Sequence, residues 1–213
     1  LLNRSSDLMP WQNRMPRIVT GLGVGATLGV AGVALQAVVR NPLAEPYVLG
    51  VSAGASSGAA AAIIIVGVTS SFAVAGMAFL GALLSTAIVL SMGGARNSST
   101  LRLILAGLAV GFIFQAVTNF IIFSSDSAET ARAVMFWTLG DLSRASWGQG
   151  WTSVVVAIVL TVLLWACAPW LDALASGDST ATAVGIDPAV IRVLLLVPVS
   201  AGVAMAVAIS GGI

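Results

Sequence analysis

The sequence has no lysine and no histidine, a single cysteine and a single tyrosine; of its 213 residues only nine arginines and eight acidic residues carry charge. Each scarcity excludes something. Without lysine there can be no phosphate loop ending in Gly-Lys-Ser/Thr, so the chain does not hold ATP in that way. Without histidine, and with Cys167 alone, the usual donors of zinc, copper and haem sites are missing and no intrachain disulfide can form. A net charge of +1 leaves no electrostatic footprint for nucleic acid. A charged fraction of 8%, against about 25% in soluble domains, excludes an ordinary soluble fold.

What remains is apolar and interrupted at intervals. Stretches free of Asp, Glu and Arg run over 18–39, 46–95, 103–125, 145–171 and 193–213. A membrane-spanning helix needs about 20 mostly apolar residues, so these stretches hold about six spans, the longest containing two. The fold class expected is all-α, a polytopic membrane helical bundle forming one domain over 1–213. Cys167, between Trp165-Ala166 and Ala168, reads as a buried, inert thiol. The chain starts without Met and stops directly after an apolar run, as a fragment of a longer membrane chain would.

Punctuation sets the boundaries. Pro16 opens the first span, where its missing N–H costs nothing. Asn41-Pro42 and Glu45-Pro46 end it, because each proline biases the preceding residue away from helix. The 50-residue stretch divides at Thr69-Ser70-Ser71, and its first half opens on the small, polar run 50–58. Backbone packed that closely or irregularly is stable at membrane depth only against protein or water. Later spans are expected near 101–123, 151–171 and from Val190 onward, with polar segments at 93–99, 124–149 and 172–188. Charge does not orient the chain: Arg4, Arg14, Arg17, Arg132 and Arg144 fall on one side, and Arg40, Arg96, Arg102 and Arg192 on the other.

Glycine spacing supplies a packing expectation. Gly21, Gly25 and Gly29 share a helix face suited to close packing. The fourth span repeats the spacing with Gly107, Gly111, Gln115 and Asn119, passing from small residues to amides. Two readings stand side by side for that face, interhelical hydrogen bonding and the lining of a translocation path. Two apparent motifs carry no chemistry. Gly54-Ala55-Ser56-Ser57-Gly58 mimics a nucleophile elbow but has no histidine to serve as base. The glycines of 21–26 mimic a dinucleotide fingerprint inside an apolar span.

Four segments, in order, resemble one family. They are Arg14-Met15-Pro16-Arg17; Asn41-Pro42-Leu43-Ala44-Glu45-Pro46 followed by Gly50, Ser52 and Gly54; Phe136-Trp137-Thr138-Leu139-Gly140-Asp141-Leu142; and Leu174-Ala175-Ser176-Gly177 with Ala181 and Val184-Gly185-Ile186. These are similar to the permeases of the type II ABC importers for iron-siderophore, haem and vitamin B12 complexes. The resemblance implies helices two to seven of a ten-helix permease in a bacterial or archaeal cell membrane. It implies as partners a second permease subunit, identical or homologous, two cytoplasmic ATPase subunits that use the ATP, an extracytoplasmic substrate-binding protein and the lipid bilayer. No cofactor would be bound by this chain and no enzymatic chemistry performed by it. It also implies an orientation, with 1–15 and 124–150 outside and 41–46, 95–100 and 172–188 towards the cytoplasm.

Roles follow from the matched positions. Arg14 and Arg17 would dock the binding protein, as guanidinium groups pair bidentately with carboxylates, or would anchor the chain at the headgroups. Gly107, Gly111, Gln115 and Asn119 would line the path. Ser99 and Thr100 would form the cytoplasmic gate or a plain helix cap. Segment 172–187 would be the coupling helix seated in the ATPase, with Leu174, Gly177, Asp178, Ala181 and Gly185 as its contacts. Asp141 stands where the family more often has serine, and Val184 where it more often has leucine. An ion-coupled secondary transporter is the competing reading; such proteins place an ionisable group near mid-bilayer, and the expected spans contain none.

Overall fold

The computed structural model describes residue 11 and residues 14–68, 70–93, 100–143 and 145–212, and these form helices joined by short turns. Helix α1 spans Met15–Val39, α2 Val51–Ala60 with a π-helical continuation Ala61–Ile65, α3 Ser71–Gly93, α4 Thr100–Phe123, α5 Ala128–Thr138, α6 Trp147–Ala166, α7 Ala168–Ala175, α8 Asp178–Ala183 and α9 Pro188–Ser210. A 3-10 turn, Pro46–Leu49, leads into α2. Among the described residues five helices (α1, α3, α4, α6 and α9) are long and apolar enough to cross a membrane. The sixth apolar segment, Val51–Ile65, is shorter.

Local chemistry explains the ends. Pro16 sits in the first turn of α1. The Ser127 hydroxyl caps α5 by accepting from the Thr130 amide. Ser146 and Gln149 form a reciprocal capping box on α6. Asp187 caps α9, its Oδ1 accepting from the Ala189 amide at 2.9 Å, with Pro188 as the first helical residue. Caps of this kind are worth roughly 0.5–2 kcal/mol each. The expected span 151–171 breaks at Cys167, whose ψ is 6°. Pro169 has no amide hydrogen and its ring crowds the carbonyl four residues earlier, so α6 cannot continue and α7 begins on a new axis. Cys167 is half-buried at this corner rather than buried within a span.

Contacts assign the helix ends to two faces. Arg17 meets Ser143, and Gly140 meets Gly212, on the face called outer in line with the orientation the resemblance implies. Arg40, Asp178 and Arg192 meet on the inner face. Between them, α2 packs antiparallel to α3 so closely that a Cβ on Gly54 would strike the Gly81 carbonyl and one on Gly58 the Met77 carbonyl. Helices in lipid gain little from hydrophobic burial, so backbone approach of this kind supplies the cohesion instead.

The short α2 has a geometric cause. A Cβ on Gly50 would lie 3.6 Å from both the Gly107 carbonyl oxygen and the Gly111 amide. These residues stand seven and eleven positions into α4, about 10–16 Å from its inner end at 1.5 Å per residue. Segment 46–50 therefore climbs into the bundle, and α2 starts part-way through the bilayer, its irregular start enclosed by α3 and α4 as backbone at that depth requires.

One expectation about packing changes. A Cβ on Gly25 or Gly29 would meet nothing within 4 Å, and only Gly21 lies near a neighbour, the Leu142 side chain. The glycine buried against α6 is Gly23, over the backbone and side chain of Ser153. Face-sharing at four-residue spacing is visible in sequence; which face a neighbour covers is not. On α6, Trp147 and Trp151 stack at the outer end together with Trp11, at centroid distances of 5.6 and 6.4 Å. Trp165 is exposed at the inner end, and Val155, Ile158, Val159 and Val162 are exposed between. Aromatic residues at both boundaries of an apolar face mark that face as meeting lipid.

Candidate translocation and coupling site

The 41–54 signature is a sequence of turn solutions. Arg40 ends α1 in the left-handed region at φ 53°, and the Asn41 side chain then accepts from the Leu43 amide at 2.9 Å. The Asn41 carbonyl accepts from the Ala44 amide at 3.0 Å, closing a turn with Pro42 at its preferred second position. Glu45 is extended, as the residue before proline prefers to be, and Pro46 opens the 3-10 turn. Gly50, at φ 71°, reverses the chain into α2. Its carbonyl accepts from Ser85 Oγ at 2.7 Å, which ties the junction to α3. Ser52 lends its carbonyl to the Ser56 hydroxyl, and Gly54 makes the contact with Gly81. Leu43 and Glu45 are exposed, whereas Ala44 and Leu49 are buried.

On α4 the four-residue stripe divides. Gly107 is buried and Gly111 half-buried, both beside Gly50, so the lower pair serves packing. Gln115 and Asn119 are exposed on the helix surface, and the Gln115 amide nitrogen donates to Asn119 Oδ1 at 3.3 Å. The opposite side of the same turns is closed by Ser57 of α2, whose hydroxyl lies 2.8 Å from that of Thr118 and 2.7 Å from the Phe114 carbonyl oxygen. Thus α4 presents two linked amides on an otherwise apolar outer half bearing Phe112, Ile113, Val117 and Phe120. Of the expected gate, Ser99 lies outside the described residues; Thr100 is the first residue of α4, and its side chain is outside them too.

At the outer face, Arg14 is exposed beside the start of α1. Arg17, also exposed, donates from Nη2 to the Ser143 carbonyl at 2.7 Å, which fixes α1 to the loop before α6. Asp141 accepts from the Ser143 amide at 2.6 Å and from its hydroxyl, while its own amide donates to the Ser210 carbonyl at 2.9 Å. The Trp137-to-Gly140 signature crosses the end of α9 there. A Cβ on Gly140 would strike the Gly212 carbonyl, and one on Gly211 would lie 2.9 Å from the Gly140 Cα. Beside this crossing is a cavity of about 880 Å³ between α3, α5 and α9, lined by Val74, Arg132, Phe136, Trp137, Asp141 and Ser210 among others.

At the inner face, 172–187 is a two-helix element, not one helix. Gly177, at φ 113°, turns α7 into α8, and Gly185, at φ 82°, turns α8 towards α9. Leu174 and Ala181 are 1% and 0% exposed, so both face the bundle and hold the element to it. Asp178 also faces inward, its Oδ1 lying 3.0 Å from Arg192 Nη2 and 3.7 Å from Arg40 Nη2. What the element offers outward is Ala175, Ser176, Ser179, Thr180, Thr182, Ala183 and Val184. Val184 is the bulkiest of these and is 63% exposed. The structure therefore brings Asp178, Gly177 and Ala181 together as an attachment surface and adds Arg40 and Arg192, which spacing along the chain did not connect to it. Arg40 carried one legible signal, a charge placed directly after a span and before a proline turn.

The chain is similar to known proteins over its whole length. The vitamin B12 import system permease protein BtuC of Salmonella typhimurium is 37% identical, across 100% of this chain and 64% of the relative. Its counterpart from Klebsiella pneumoniae is 38% identical, across 100% of this chain and 63% of the relative. The chain thus spans just under two thirds of the length of these curated relatives. A metal-chelate type ABC transporter solved in an inward-facing conformation superimposes with a TM-score of 0.90 at 30% identity, covering 100% of this chain and 68% of that one. With the profile of the FecCD transport family matching residues 2–213, the chain belongs to that family.

Proposed function

We propose that the chain forms the larger part of the permease subunit of an ATP-driven importer for corrinoid or metal-chelate complexes in a cell membrane. The observation that carries this reading is the exposed α7–α8 element, anchored from within by Leu174 and Ala181 and presenting Val184 outward. A small, polar, protruding surface with one apolar knob suits the cleft of a partner ATPase, and the lack of lysine assigns nucleotide chemistry to that partner. The relatives are described as vitamin B12 import permeases and a metal-chelate transporter, which supports a bulky chelate as substrate. A second permease subunit would complete the path along the Gln115 and Asn119 face of α4, and Arg14 with Arg17 would meet acidic groups of a substrate-binding protein. Transport would proceed by alternating access, the ATPases shifting the balance between outward-open and inward-open states. The reading is favoured over ion coupling because the arginines within the described spans, Arg17, Arg102 and Arg192, all lie within five residues of a helix start. None stands at mid-bilayer, where coupling ions are bound.

The test is Val184→Glu in the full permease. Burying an unpartnered carboxylate in an interface costs several kcal/mol, so copurification of a P-loop ATPase should fall by about tenfold or more with permease yield unchanged. Substrate uptake by the permease reconstituted without any ATPase would overturn the reading.

A further inference from the structure

Asp178 is the first residue of α8 and, with a side chain 45% exposed, makes ion pairs with two other helices. Arg192 approaches it from the first turns of α9 with a side chain only 8% exposed. Arg40 approaches from the end of α1, 138 residues away in sequence, with a side chain 42% exposed. Arg40 is the one non-glycine residue at positive φ among the described residues. Helices that end this way normally use glycine, because a side chain is strained there. An arginine stands in that place against its backbone preference, and its guanidinium lies over Gly177, where a Cβ would come within 3.4 Å of Nη1. The ionic contact is flanked by the buried Leu174 and Ala181, so α7–α8 is fixed to the bundle at three points while Ser179, Thr180, Ala183 and Val184 remain outward.

We infer that Asp178 is a positioning residue: a charge clasp that locks α8 to the inner ends of α1 and α9, so that a push on α7–α8 displaces those two spans with it. Its force-transmitting half rests on the importer reading above; the clasp itself does not. Leu174 and Ala181 resist lifting of α8 off the bundle, but apolar contacts are non-directional and permit sliding. The Arg192 hydrogen bond to Asp178 at 3.0 Å defines a direction as well as a distance, and the Arg40 guanidinium at 3.7 Å adds a longer ionic contact from a second helix. The clasp bears on α1, whose other end holds the loop at Ser143 through Arg17, and on α9, whose other end crosses Gly140. The two faces are thereby joined through α1 and through α9, the latter with Pro198 in its interior.

The experiment uses the full-length permease in lipid nanodiscs, in a Cys167→Ser background, with spin labels at Thr182→Cys on α8 and Val33→Cys on α1, both exposed positions. With the clasp intact the label distance is single and narrow, and it stays so when the assembled ATPase is trapped with ATP and vanadate. In Asp178→Asn, which keeps the shape and removes the charge, the distribution should broaden by about twofold or more, as expected when a coupling contact is lost. Trapping should then change the α8 to α1 distance while ATP hydrolysis persists. Asp178→Glu should restore the narrow distance. A distribution in Asp178→Asn as narrow as in the parent overturns the clasp. Should that variant not accumulate, Arg40→Gln decides, since its side chain is the more exposed arm: broadening supports the clasp and parental width overturns it. If no ATPase assembles with the permease carrying neither label nor substitution, the importer reading and the force-transmitting half fall, and the width comparison on the permease alone still decides the clasp.

Discussion

Replacing Gly54 with leucine should abolish accumulation of folded permease. The Gly54 and Gly81 backbones approach until a Cβ on either would collide with the carbonyl of the other, and Gly58 stands likewise over Met77. These obstacles are backbone atoms of the facing helix, which cannot rotate away as a side chain can. Relief would require α2 and α3 to separate along their length, breaking the Ser85 to Gly50 bond that closes the re-entrant junction. Overpacking a core costs typically 1–3 kcal/mol, and occasionally more, when side chains can adjust; here the cost should exceed that range. The comparison is Gly76→Ala on the same α3, where a Cβ meets nothing within 4 Å. That change should be neutral or stabilise by up to about 1 kcal/mol through helix propensity. Size-exclusion profiles of the detergent-extracted proteins check both. A monodisperse Gly54→Leu peak at parental height would show the helices to be farther apart than described.

Gly140→Val should have the second largest effect, and for two separable reasons. At φ 73° a β-branched residue is strained in the left-handed region, at a cost of about 1–2 kcal/mol. Its Cβ would also strike the Gly212 carbonyl and press to 3.4 Å on that of Ser210. Gly185→Ala separates the two contributions, since Gly185 shares the positive φ, at 82°, and has nothing within 4 Å. Gly185→Ala should lower the thermal transition slightly, and Gly140→Val should lower it several times as much by loosening α5 from the end of α9. Equal shifts would mean that backbone strain alone matters at Gly140.

Much of this architecture was legible because membrane-spanning segments are constrained locally. The gaps between charges marked the apolar stretches, and proline and asparagine marked where helices stop, since a proline acts on its own backbone and its neighbour's. Pro169 stands in the sequence, yet the expected span 151–171 runs through it; the structure ends α6 at Ala166 and leaves Cys167 at the corner. The 41–54 signature was recognised as a pattern, whereas its content, an Asn41 turn, an extended Glu45 and a positive-φ Gly50, became physical only when Ser85 and Gly107 were seen beside it.

Sequence by itself determined that the chain is built of apolar helices suited to a membrane, and where prolines and polar turns interrupt most of them. Those properties depend on composition and on interactions within a few residues. Tertiary structure alone decided that Gly23, not Gly25 or Gly29, is the α1 glycine packed on α6, that Leu174 and Ala181 turn inward and Val184 outward, and that Asp178 belongs to Arg40 and Arg192. The reason is that helical periodicity fixes which residues share a face but not which neighbour that face meets. An ion pair across 138 residues of chain exists only once the helices carrying its partners have packed.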